Sequence, residues 1–310
     1  MCAELIVDSF VRAGIVMHAL DQLHRLTERI FWMPADSRTD RPMLGLVVGD
    51  HECLVIDAGN SPAHVDLLRN AIEAQALAQP TCLALTHWHW DHVFGAATLN
   101  LPSYASQETN RILQVLATLD WSDAALDQRV ADGLEIGFCR DMIKAELADR
   151  SQLQIVPATT SIEQQFMLDL GNCVAELIVV GGDHAHDSTI VYVPSQAVVF
   201  LGDCIYDDLY HGARRLTTSQ IFPLLERLLA LPADFYCASH HEQPLTRAEF
   251  EAEAQLLRHI GTIVNQIGAD PDTILAQISQ QLAIPLTEDH HDIMQAFLAG
   301  LALPEVQSMY

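Results

Sequence analysis

Apolar residues fall along this chain in short runs separated by glycine, proline and polar turns, and the runs predict a layered α/β protein. Residues 43–49 (MLGLVVG) and 52–57 (ECLVID) are β-rich, with Asp50-His51 between them in the pattern of a hairpin. Asn60-Ser61-Pro62 opens a helix, with Ser61 as cap, Pro62 in the first position and Pro80 as the stop. Val65, Leu68 and Ile72 supply its apolar stripe. Residues 82–86 form a short buried strand that ends where a histidine-rich segment begins. From 106 to 150 the period is helical, with Ile112, Val115, Leu116 and Leu119 on one face and Gly133 and Gly137 as breaks. Strand runs return at 154–157, 173–180 (CVAELIVV), 189–193 (TIVYV) and 197–201 (AVVFL), with the turn Pro194-Ser195-Gln196 between the last two. A helix over 219–231 leads to a final strand at 235–238. Beyond it the chain reads as helical, with a capping box at 246–249 and a helix start at Asp270-Pro271.

No repeat, low-complexity tract or flexible linker interrupts this order. The expectation is one domain over 1–310, with a core at about 25–245, a helical insertion at about 106–150 and a C-terminal helical extension at about 246–310.

Composition narrows the function. Half of the 310 residues are hydrophobic and 18% are charged, which fits a globular protein and excludes a disordered one. The net charge of −25 argues against nucleic acid as a partner, because an acidic surface repels phosphate backbones. Seven cysteines are scattered without a C-x-x-C and read as buried free thiols in a reducing compartment. The apolar stretch at 13–17 meets His18, Asp21 and His24 too soon for a signal peptide or a membrane span. The expected setting is the cytoplasm, with no membrane partner and a small-molecule substrate; a homo-oligomer stays open.

The chemistry concentrates in Thr86-His87-Trp88-His89-Trp90-Asp91-His92. In an extended segment residues i and i+2 point the same way, so His87 and His89 can share one metal ion. Asp91 and His92 then turn toward a second. Imidazole and carboxylate suit zinc, and also iron or manganese. A chance surface cluster is the competing reading, and the position straight after an apolar strand argues against it. His18, His24, His51, His64 and His259 lack ligand spacing and read as surface or packing residues. His290-His291-Asp292 reads as a solvated helix start, because adjacent helical residues face different directions.

The H-x-H-x-D-H segment resembles the signature of the metallo-β-lactamase superfamily, and further motifs follow in order over about residues 43–245. The resemblance implies a four-layer αββα sandwich, here with an added helical cap and C-terminal helices, and a metal cleft at one edge of the paired sheets. It implies that Asp57 supports the site from behind the ligands. His184 resembles the third histidine of the first metal, with His186 as its competitor; Ser188 keeps the family spacing, while Asp187 stands where the family has glycine. Asp203 resembles the aspartate that bridges the two metals. His240 resembles the last histidine, with His241 as competitor, and the family's following glycine is absent. On this resemblance His87, His89 and His184 hold one ion, Asp91, His92 and His240 hold the other, and Asp91 also shuttles a proton. Tyr206, Tyr210 and His211, in the loop after Asp203, are candidates to reach substrate.

Two divalent ions sharing a hydroxide can attack a carbonyl or phosphoryl centre without a protein nucleophile. The expectation is therefore a dinuclear hydrolase acting on a small ester, thioester, lactone or phosphodiester. A bridging Asp203 favours that broad group over antibiotic-hydrolysing members, which resemble this pattern but carry Cys or His as a ligand there. Diiron oxygen reductases of the fold usually carry Glu where His89 stands. A single-iron persulfide dioxygenase and a non-catalytic metal scaffold are the alternatives. The helices of 106–150, together with the C-terminal helices, are expected to cap the cleft.

Overall fold

A computed structural model describes residues 19–283 and 285–301. The N-terminal apolar stretch and His18 lie outside the described residues. The first sheet is built from β1 (His24–Arg25), β2 (Ile30–Met33), β3 (Leu44–Val48), β4 (Cys53–Ile56), β5 (Cys82–Ala84), β6 (Ser103–Ser106) and β7 (Thr160–Ile162), in that spatial order. The second runs β13-β12-β11-β10-β9-β8, made from β8 (Gln165–Asp169), β9 (Val174–Val179), β10 (Thr189–Val193), β11 (Val198–Gly202), β12 (Phe235–Ala238) and β13 (Leu245–Thr246).

Nearly continuous apolar runs are what strands covered on both faces require. On β4, Leu54 and Ile56 point between the sheets while Cys53 and Val55 face the helices outside. On β11, Val198 and Phe200 point inward, and Val199 and Leu201 face the helices of the other side. Gly45 of β3 lies on the inner face, where a Cβ would run into the Phe200 ring.

The first outer layer holds α1 (Pro62–Ala74), the short α2 (Trp90–Val93) and α3 (Ala96–Leu99), and the insertion helices α4 (Gln107–Leu116), α5 (Asp123–Ala131) and α6 (Gly137–Glu146). The second holds α7 (Thr218–Leu229), α8 (Arg247–Ile267), α9 (Pro271–Leu282) and α10 (Glu288–Leu301). The result is a mixed αββα sandwich. Among the described residues, no helix is long and apolar enough to cross a membrane.

Several expectations need correction. Helix α1 ends at Ala74, not at Pro80: Gln75 caps it and Ala76 turns left-handed (φ 51°). Residues 154–157 are not a strand; their apolar side chains, Ile155 among them, pack against the insertion helices instead. β1 and β2 lie ahead of the first strand read from the sequence, and β8, with its half-exposed face, carries too weak an apolar pattern to be read alone. Val115 projects from α4 at 37% exposure rather than joining the buried face. His290 starts a helix as expected but is buried, its Nδ1 accepting from Thr287, while His291 is exposed.

Candidate metal centre

β4 pairs parallel with β5, and β11 with β12, so their carboxyl ends emerge on one edge. β10 is antiparallel to β11, and its entry loop therefore reaches the same edge. Thr189 N donates to Thr86 O at 2.7 Å and Met43 N to Ser239 O at 2.6 Å, tying the two sheets together there. Gly202, at φ 55°, lets the end of β11 approach closely; a Cβ would lie 2.7 Å from Thr86. Asp203 follows directly.

That edge brings together every ligand residue named from the sequence. His87, His89 and His184 form one group, and Asp91, His92, Asp203 and His240 form a second; within each, the ligand atoms lie within 4.8 Å of one another. Asp203 Oδ2 sits between the groups: it is 3.9 Å from His87 Nε2, 3.4 Å from His92 Nε2, 3.3 Å from His184 Nε2 and 3.1 Å from His240 Nε2. Asp91 Oδ2 lies 3.1 Å from His92 Nε2 and 3.3 Å from His240 Nε2.

The surroundings fix which nitrogen of each ring faces inward. Asp57, buried and left-handed (φ 62°), accepts from Thr86 N at 2.8 Å, Thr86 Oγ1 at 2.9 Å and His92 Nδ1 at 2.8 Å. With its own proton committed to Asp57, the Thr86 hydroxyl accepts from His87 Nδ1 at 3.0 Å. His184 Nδ1 donates to Asp207 O at 2.9 Å. The inward Nε2 atoms of His87, His92 and His184, together with Asp203 Oδ1, are buried without an aligned hydrogen-bond partner. Buried polar atoms rarely go unsatisfied. Nitrogen and carboxylate donors converging in this way fit a pair of divalent cations.

Electrostatics separates the two groups. Burial, and then the neighbouring histidines, push His87 and His89 well below the ordinary imidazole range, which leaves them neutral. Burial opposes charge on His92 and His240 too, but the surrounding aspartates outweigh it and raise both. Asp91 and Asp203 are held low by those same imidazoles, against the cost of burial. A cation bound there competes with protons, so its affinity falls at low pH.

A cavity that opens to solvent is lined in part by His89, Asp91, His184, Asp203 and His240 of the cluster. Trp90, Phe138, Cys139, Tyr206, Leu209 and Tyr210 form its apolar side; Asp40, Asp91, Asp207 and Arg214 are among its polar groups. Tyr210 stacks obliquely on His89 at 5.1 Å and on Trp88 at 5.4 Å. The Tyr206 hydroxyl donates to His241 Nδ1 at 2.7 Å and accepts from His240 N at 3.2 Å. His241 thus turns away from the cluster, and His186 is exposed. His211 pairs with Asp208 at 2.8 Å and does not line the cavity, unlike Tyr206 and Tyr210. The insertion contributes Phe138 and Cys139 from α6. Among the described residues, helices α8–α10 contribute none to the lining; they pack behind the second sheet, which corrects their expected share in a cap. Asp187 is buried and accepts from Thr109 Oγ1 at 2.7 Å, a tie from the His184 loop to α4.

The sequence reading missed Asp40. It lies in the turn before β3, buried at φ 57°, and its Oδ1 is 3.7 Å from His240 Nδ1. Burial, then the charge of Asp91, raise its carboxyl to about 7. Thr39-Asp40-Arg41-Pro42 has the composition of any loop, so no local signal marks it.

A model described as the metallo-beta-lactamase superfamily matches residues 43–240. The alpha subunit of 2,4-dinitroanisole O-demethylase from Nocardioides sp. (strain JS1661) is 25% identical over 214 residues, 68% of this chain; the match spans 55% of that relative's length. Among solved structures, the stereoselective inverting sec-alkylsulfatase from Pseudomonas sp. gives a TM-score of 0.61 at 13% identity, covering 90% of this chain and 50% of that one. A metallo-beta-lactamase family protein from Thermus thermophilus gives 0.57 at 14%, covering 90% and 94%. A metallo-beta-lactamase from Pontibacter korlensis gives 0.52 at 18%, covering 76% and 98%. The family match spans well over half of the chain and ends on the last histidine of the cluster, so the chain belongs to the metallo-beta-lactamase superfamily.

Proposed function

We propose that this protein is a metal-dependent hydrolase of small organic substrates, with His87, His89 and His184 holding one divalent cation and Asp91, His92 and His240 a second. Asp203 serves both, and zinc is the first candidate, ahead of iron and manganese. The observation that carries this reading is the position of Asp203 Oδ2, within 3.9 Å of the inward nitrogens of four histidines.

When bound, such a pair supplies Lewis acidity and a water acidic enough to attack an acyl or phosphoryl centre near neutral pH. Asp91, on the cavity wall and beside both His92 and His240, holds and moves the proton. Phe138, Leu209 and Tyr210 pack the apolar part of the substrate and exclude water. The aspartates around the cavity favour a compact ester, thioester or lactone over a polyanion, with a small phosphodiester as the outer limit. We place the protein in the cytoplasm.

The test is metal analysis of protein purified without added metal, paired with a panel of thioesters, lactones, β-lactams, phosphodiesters, alkyl sulfates and nitroaryl methyl ethers. The last two enter because of the relatives' names. Turnover with two ions per chain, lost together with metal in His89→Ala and Asp91→Ala, supports the proposal. A fully active, metal-free variant refutes it. One iron with oxygen consumption on persulfide points to the dioxygenase alternative, and metal without any turnover to the scaffold.

A further inference from the structure

Three of the cluster's histidines turn a ring nitrogen outward onto a fixed acceptor: His87 onto Thr86 Oγ1, His92 onto Asp57 and His184 onto Asp207 O. The outward nitrogen of His240 faces Asp40 Oδ1 instead, at 3.7 Å, too long for a hydrogen bond but close enough for the carboxylate's charge to act on the ring.

The backbone holds Asp40 there against its preference. Asp40 is at φ 57°, a left-handed conformation that costs a non-glycine residue energy and persists only where neighbours impose it. Both neighbours are clamped. Thr39 O accepts from Asn60 Nδ2 at 2.8 Å. Arg41 exchanges backbone hydrogen bonds with Asp36 at 2.9 and 3.0 Å, and its guanidinium binds Glu146 of α6 at 2.7 Å. Glu146 in turn accepts from Ser61 Oγ, the cap of α1. Two elements of the outer layer thus grip the turn that presents one carboxylate to the cavity.

We infer that Asp40 is the positioning residue for His240: it fixes the ring's direction and strengthens the inward nitrogen as a donor to the second cation. This rests on the paired-cation reading above. Partners of this kind typically change metal affinity 10–100-fold when removed.

The full-length protein is titrated with zinc against a competing chelator, and the visible spectrum of its cobalt-loaded form is recorded. Asp40→Gly removes the carboxylate while accepting the left-handed backbone, and Asp40→Asn keeps both the backbone preference and an acceptor oxygen. In Asp40→Gly the second ion is expected to bind about 10–100-fold more weakly, with an altered cobalt spectrum, while the first ion is unchanged. Asp40→Asn keeps the shape but loses the charge, so it is expected to bind the second ion nearly as weakly as Asp40→Gly, whereas a merely space-filling role would restore the affinity. Asp40→Ser, too short to reach His240, is the second variant should the glycine form fold poorly, and it carries the same expectation. Two ions bound with wild-type affinity in Asp40→Gly or Asp40→Ser overturn the inference alone. A wild-type protein that takes up only one ion overturns the paired-cation reading beneath it.

Discussion

Removing the Asp57 carboxylate should damage both residue groups of the candidate metal centre, although Asp57 belongs to neither. Its two oxygens satisfy three buried donors: Thr86 N, Thr86 Oγ1 and His92 Nδ1. In Asp57→Ala the Thr86 amide and the His92 ring are stranded at roughly 1–3 kcal/mol each, and alanine at φ 62° adds roughly 1–2 kcal/mol, so the expected loss is about 3–8 kcal/mol. That is a large part of the roughly 5–15 kcal/mol that holds a domain folded. The Thr86 hydroxyl has an escape: with Asp57 gone it can donate to His87 Nδ1, which moves the His87 proton to Nε2 and blocks the lone pair aimed into the cluster. Metal affinity should therefore fall at the His87 group as well as at the His92 group. Asp57→Asn tolerates the left-handed backbone and keeps one acceptor, so it should be milder in stability yet still weaken both ions. Urea unfolding with and without zinc, together with chelator competition on each variant, gives both numbers. Wild-type affinity at the His87 group in Asp57→Ala would refute the relay through Thr86.

Gly202→Ala should cost roughly 2–4 kcal/mol in urea unfolding, from left-handed strain and from a Cβ placed 2.7 Å from Thr86, and it should displace Asp203 enough to lower metal content. A variant of wild-type stability and metal content would contradict the close approach. His64 is buried, and burial first, then Arg41, lower it from 6.5 to about 3, so the folded state resists a proton that the unfolded chain accepts. Its stabilising contribution is complete above pH 6.5 and is lost as pH falls toward 3, at up to about 1.4 kcal/mol per unit. Between pH 7 and 4 the metal-free His64→Leu variant should lose less stability than metal-free wild type; equal slopes would dismiss the assignment. Burial raises the Cys53 thiol to about 12 and Cys82 to about 11, so neither should react with a thiol reagent at pH 8 until the protein unfolds, and fast native labelling at either position would count against their burial.

The sequence by itself determined the central strands of both sheets and most of the candidate ligands, while β1, β2, β6, β7, β8 and β13 escaped it. Residues 189–193 and 235–238 read as strands because unbroken β-branched and aromatic runs suit sheets buried on both faces. His87, His89, Asp91 and His92 declared themselves by local spacing, and Ser61, Thr246 and Asp270 by capping chemistry that acts within four residues. Tertiary structure alone decided everything that depends on two distant segments meeting. Asp40 and His240 are 200 positions apart and come together only because the turn before β3 and the end of β12 leave the sandwich at one edge. His240 rather than His241 faces the cluster because the Tyr206 hydroxyl holds the His241 ring, and among the described residues α8–α10 stay out of the cavity lining because their apolar faces cover the second sheet. Local propensity acts over one or two turns of chain, whereas a site is made by side chains whose neighbours are fixed by sheet order and packing.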